Sequence, residues 1–154
     1  MQRDYILRLI EQLGEFLSRV VQQRERHAPQ EALQTIMAGM HRLFGMEALE
    51  VFRFTPDQHW AMLAEGELPE VAREKILMYA SLNAEAGQCY LALNEPKLAH
   101  ASFLNALRIT AKVRQQFPSP DWPPFAPSLT ELLRLLGDTA LDPETAALVA
   151  GARE

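Results

Sequence analysis

Cysteine occurs once, at Cys89, which excludes an internal disulfide and any metal site built on several thiolates. Glycine is scarce, at 7 residues in 154, too few for a β-rich chain with many tight turns. Valine and isoleucine together number 11, against 23 leucines and 21 alanines. The apolar residues are therefore helix formers rather than strand formers. No apolar run approaches the ~20 residues of a membrane span. The opening segment is interrupted by Arg8, Glu11 and Glu15, so it lacks the apolar centre of a signal peptide. Basic side chains are also in deficit: 15 Lys and Arg against 20 Asp and Glu give a formal charge of -5 and a pI near 5.4. That balance argues against nucleic-acid binding, which needs clustered cations to replace phosphate counterions. These absences imply an all-α chain with neither a membrane nor a nucleic-acid partner and, by default, a cytoplasmic location.

A chain of 154 residues has the length of one domain and can bury about 70% of its unfolded surface. Its charges are uneven. Residues 1–54 carry seven acidic and seven basic side chains, and residues 55–154 carry thirteen and eight. The more acidic half reads as an ordinary solvated surface.

Helical periodicity runs through most of the chain. Ile6, Leu9, Ile10, Leu13, Phe16, Leu17, Val20 and Val21 recur at three- and four-residue intervals, predicting a first helix from about Arg3 to Arg26. Pro29 opens a second through Leu33, Ile36, Met37, Met40, Leu43 and Phe44, with Gly45 as its stop. The two form an antiparallel pair over 3–45. Glu47 to Phe54 fits either a helical turn or an extended link. Thr55-Pro56-Asp57-Gln58 is a capping-box start for a short helix ending near Gly66. Pro69 opens a long helix to about Leu93, and Pro96 another to about Phe117, a second pair over 69–117. Residues 118–127 contain five of the ten prolines, a density that blocks helix. They read as a stiff connector whose Trp122 and Phe125 fold back onto the core. Ser128-Leu129-Thr130-Glu131 and Asp142-Pro143 start two C-terminal capping helices over 128–152. The whole reads as a single helical domain, 1–154, of antiparallel helix pairs.

Within the second pair, Gly87, Tyr90, Ala99, Phe103 and Ala106 follow one another at spacings of 3, 9, 4 and 3 residues. Small residues at Gly87, Ala99 and Ala106 let helix backbones approach, and Tyr90 and Phe103 are knobs that fill the remaining space. Asn94 sits where the chain must turn, and asparagine tolerates the left-handed conformation needed there. This set resembles a tetratricopeptide (TPR) hairpin over about thirty residues, Asn83 to Thr110. It departs from the pattern at Asn83, where tryptophan or another large apolar residue is favoured, and at Ala86, where leucine is. Ala32, Ile36 and Gly39 give a fainter echo. Asp4-Tyr5-Ile6-Leu7, Glu31-Ala32-Leu33 and Tyr90 to Leu107 also look like a family of short bacterial all-helical proteins of unassigned function. A repeat of this kind buries its apolar face only against neighbours. The N-terminal helix, the Thr55 helix and the Ser128 helix, or a second copy, must therefore complete the core.

No catalytic constellation stands out. His27, His41, His59 and His100 have neither mutual i,i+4 pairing nor metal-ligand context, and no phosphate loop or GxSxG is present. The expectation is no enzyme, no cofactor and no metal. Cys89 reads as a buried, inert thiol, and Glu85 as a solvated carboxylate. The TPR resemblance implies a non-catalytic interaction module whose partner is a protein or a second copy. The groove it implies is the exposed face of the hairpin's first helix, at Ser81, Ala84, Gln88, Leu91 and Ala92. Ala84 and Gln88 replace the Lys and Asn by which some TPR domains clamp a carboxylate, and the chain's own helices could fill that groove. The Leu-rich segment Leu129 to Leu136 is either a cap or a homodimer contact. An alternative function is a small-molecule or peptide sensor with a pocket between the two helix pairs, suggested by Phe52, Phe54, Trp60 and Trp122.

Overall fold

Five helices of this protein begin on proline, where a missing N–H costs nothing and the fixed φ favours the first turn. The computed structural model describes residues 2–47, 53–119 and 121–152, and in them the chain is all-α. In order the helices are α1 (Gln2–Glu25), α2 (Pro29–Phe44), α3 (Pro56–Ala64), α4 (Pro69–Ala92), α5 (Pro96–Gln116), α6 (Leu129–Leu136) and α7 (Pro143–Gly151). No strand occurs among the described residues. Most of the ambiguous link between α2 and α3, residues 48–52, lies outside them.

Side chains cap three of the helices at their first amides. Thr55 accepts a hydrogen bond from the Gln58 N–H at 3.2 Å, and Gln58 Oε1 accepts one from the Thr55 N–H at 2.8 Å. That is the reciprocal capping box expected from the sequence. Ser128 Oγ accepts from the Glu131 N–H, but the Glu131 carboxylate grips the Arg134 guanidinium instead of reaching back. Asp142 accepts from both the N–H and the hydroxyl of Thr145. At the C-terminal ends, Gly45 (φ 69) and Asn94 (φ 61) adopt left-handed conformations. The Met46 N–H then closes on the Met40 carbonyl and the Glu95 N–H on the Tyr90 carbonyl, which satisfies carbonyls the helices leave open.

The most extensive helix contact joins α4 to α5; α1 packs on α2, and both pack on α4. α3 covers α4, while α6 and α7 lie against α5. At the α4–α5 crossing, Gly87 faces the ring of Phe103 so closely that a β-carbon there would fall under 3.0 Å from three ring atoms. Ala99 and Ala106 are buried on the same helix as Phe103. One apolar cluster gathers α1, α2, α3 and α4 with Ile109 and Val113 of α5. A second is built from Ala99, Phe103, Ala106, Leu107 and Ala111 of α5 with Leu129, Leu132 and Leu136 of α6. Leu133 and Leu135 pack partly against that second cluster, so the leucines of α6 serve the chain's own core.

The Pro-rich connector is pinned to the body. Trp122, Phe125 and Ala126 pack against the first cluster, and Arg73 donates to the Asp121 carbonyl at 2.6 Å. Cys89 is fully buried, and burial pushes its thiol up to about 11. Glu85 departs from the expectation of a solvated side chain. It is half-buried against Arg24, with which it pairs at 2.8 Å. Burial raises its carboxyl above 4.5, and the Arg24 charge only partly opposes that shift.

A candidate binding cleft

Between α2 and the α4–α5 pair lies a cleft of about 550 Å³. Leu33, Ile36, Met37 and Met40 line it from α2, at the spacings that bring side chains onto one helix face. Leu98, Ala101, Ser102 and Asn105 line it from α5 in the same way. Each wall therefore runs two helical turns, about 11 Å. From α4 come Asn83, Ala86 and Tyr90, and Phe54 completes the lining.

The lining is uncharged. Its polar atoms belong to Gln34, Asn83, Ser102, Asn105 and the Tyr90 phenol, and burial shifts that phenol upward. Asn83 is fixed by donating from Nδ2 to the Tyr79 carbonyl at 2.9 Å. Behind it the Tyr79 hydroxyl bonds His59 Nδ1, and burial pushes the Tyr79 phenol up to about 12. The His59 ring lies 5.0 Å from Tyr79 and 6.1 Å from Phe54, so buried aromatic packing backs Phe54. Two large apolar side chains of the cleft are exposed: Leu98 at 48% and Phe54 at 37%.

The hairpin residues Gly87, Ala99, Phe103 and Ala106 are buried, and Tyr90 is half-buried. The five groove positions inferred from the sequence do not line this cleft. Ser81 is buried, Ala84 packs against the second cluster, Gln88 is half-buried, and Leu91 and Ala92 lie on the surface. α4 turns Asn83, Ala86 and Tyr90 to the cleft instead. Of the aromatics noted outside the hairpin, Phe54 lines the cleft. Trp60 stacks near Phe117 under Lys112, Trp122 belongs to the connector, and Phe52 lies outside the described residues. The signal available in the sequence was the undersized pair Asn83 and Ala86: where neighbouring helices are held apart by their other contacts, small side chains on the face between them leave a void.

Among the described residues, no group of three or more His, Cys, Asp or Glu could hold a metal ion. Among the same residues, no helix is long and apolar enough to cross a membrane. No family model, curated protein or solved structure matches this chain.

Proposed function

We propose that this protein is a non-catalytic interaction module that receives the apolar face of a partner protein's helix in the cleft between α2 and α5. The observation that carries this reading is the cleft's shape and lining. Two helices present walls of matched two-turn length over an uncharged floor: α2 contributes Leu33, Ile36, Met37 and Met40 at three- and four-residue spacing, and α5 contributes apolar Leu98 and Ala101 followed by polar Ser102 and Asn105. That is the receptor half of helix-in-groove recognition, read by anchors at i, i+4 and i+7. The exposed Leu98 and Phe54 at its margin favour a macromolecular occupant, which would cover them, over a small molecule that fills only the depth. The volume also falls within the range of small-molecule sites, which supports the sensor reading as the second choice.

The TPR resemblance fits this account. The two positions where the hairpin departs from that pattern, Asn83 and Ala86, are two of the three α4 residues in the cleft. Larger side chains there would occupy the space. A partner other than a second copy joined through α6 is favoured, because the α6 leucines already pack within the chain.

The test is selection of a displayed library of amphipathic helical peptides against the protein. Enriched peptides should carry apolar residues at i, i+4 and i+7. They should lose at least tenfold in affinity for Ala86→Leu, which plugs the floor, and for Leu98→Glu, which charges the margin. Peptides that bind both variants as well as the parent would sink the proposal. Enrichment of no helical peptide, alongside saturable binding of a neutral small molecule, would favour the sensor.

A further inference from the structure

A second and smaller site forms where the Pro-rich connector meets the end of α5. Trp122 carries two guanidinium groups on its ring: Arg114 with its central carbon 4.0 Å from the ring centroid, and Arg73 at 5.2 Å. Arg73 is held by protein partners at its two terminal nitrogens, although its Nε is buried without an acceptor. It pairs with Glu74 at 3.0 Å and donates to the Asp121 carbonyl. Arg114 is not so held: among the described residues it makes neither an ion pair nor a hydrogen bond, and its Nε is buried without an acceptor. The Trp122 Nε1 beside it is buried and lacks an acceptor too.

Both side chains line a pocket of about 180 Å³, together with Phe117, Pro118, Ser119 and the Gly151–Ala152 end of α7. At roughly 30 Å³ per water, that is room for about six water-sized groups. Stacking on the indole accounts for one face of the Arg114 guanidinium. It leaves the in-plane N–H fork, whose geometry matches the paired oxygens of a carboxylate or phosphate. Ser119 Oγ accepts from the Asp121 N–H and keeps its own proton to donate. Buried donors without acceptors are costly, and one oxyanion would serve several of them at once. The acidic groups nearby do not take that role: Glu74 pairs with Arg73 through Oε1 and leaves Oε2 buried without a partner, and Asp121 is exposed.

We infer that the Arg114–Trp122 pocket is a binding site for a small oxyanion group, a carboxylate or a phosphate. The guanidinium fork is its principal contact, with the indole N–H and the Ser119 hydroxyl beside it.

The experiment follows the two indole N–H resonances, Trp60 and Trp122, by NMR, assigned with Trp60→Phe. Inorganic phosphate and acetate are titrated separately at ionic strength held constant with sodium chloride. A saturable shift of the Trp122 resonance, with Trp60 unmoved, is the expected result, and the anion that saturates at lower concentration identifies the ligand chemistry. Arg114→Lys keeps the charge without the fork and should weaken binding at least tenfold; Arg114→Gln should remove saturation. Trp122 and Trp60 shifting together without saturation would overturn the inference, and so would saturation unchanged in Arg114→Gln. The first contrast needs no Arg114 variant, so a poorly folding Arg114→Gln protein does not weaken the test.

Discussion

Gly87→Ala separates helix propensity from packing, because the two predict opposite signs. In a helix interior glycine costs about 0.5–1 kcal/mol relative to alanine, so on propensity alone the change would stabilise α4. At Gly87, however, the added carbon would stand under 3.0 Å from three ring atoms of Phe103. That ring is 1% exposed and cannot swing into solvent. Overpacking of this kind typically costs about 1–3 kcal/mol. With the propensity gain subtracted, the net loss spans about 0–2.5 kcal/mol and centres on about 1–2 kcal/mol. A chain of this length moves by about 2–4 °C in Tm per kcal/mol, so the melting temperature should fall by about 2–8 °C. Gly14 is the internal control: it is exposed on α1, and a β-carbon there meets nothing within 4 Å. Gly14→Ala should therefore raise Tm by about 1–4 °C. Pairing Gly87→Ala with Phe103→Leu should give less than the sum of the two losses, since the smaller side chain relieves the clash. Thermal melts followed by far-UV circular dichroism measure the four variants and the parent. Gly87→Ala matching Gly14→Ala in sign would refute the close α4–α5 crossing.

Other substitutions test separate parts of the structure. Tyr79→Phe removes the hydroxyl that bonds buried His59 Nδ1 and should cost about 1–3 kcal/mol in chemical denaturation. The Asp142 carboxyl is held below 3.8, first by its hydrogen bonds from the Thr145 hydroxyl and N–H. A depressed folded value means its contribution is fully present above the unfolded value and is lost as pH falls through the folded one. The Tm gap between the parent and Asp142→Ala should thus be constant near neutrality and close in acid below about pH 4; a gap that widens there would contradict the cap. Cys89 should resist thiol reagents in the folded protein at neutral pH and react only on unfolding, because it is fully buried and its thiol is raised to about 11. Rapid labelling under native conditions would show that α4 opens locally.

Helix positions were legible because the chain marks them with residues of fixed local meaning. Pro29, Pro56, Pro69, Pro96 and Pro143 each stand at a first helical position, and Gly45 and Asn94 take the left-handed conformation that ends a helix. His27 adopts φ 60 between α1 and α2 without such a signal. What periodicity does not carry is how one helix sits on another. Glu85 read as solvated because nothing within its own helix shows that Arg24, 61 residues away, lies against it. A pocket between the two helix pairs was an expectation, but its lining was not legible, for the same reason: its walls belong to α2 and α5, and only the small side chains at Asn83 and Ala86 hinted that α4 leaves space between them. The Arg114–Trp122 stack joins a helix end to a proline-rich connector, where no repeat pattern operates.

The methionines provide a direct readout of the proposed cleft. Met37 and Met40 line it, Met78 is fully buried away from it, and Met62 is exposed on α3. In a methyl-labelled sample titrated with a selected amphipathic helical peptide, the Met37 and Met40 methyl resonances should shift and show contacts to the peptide, with Met62 and Met78 unmoved. A footprint on Met62, or one centred on the Leu91 and Ala92 surface with Met37 and Met40 silent, would contradict the assignment of the cleft as the binding site.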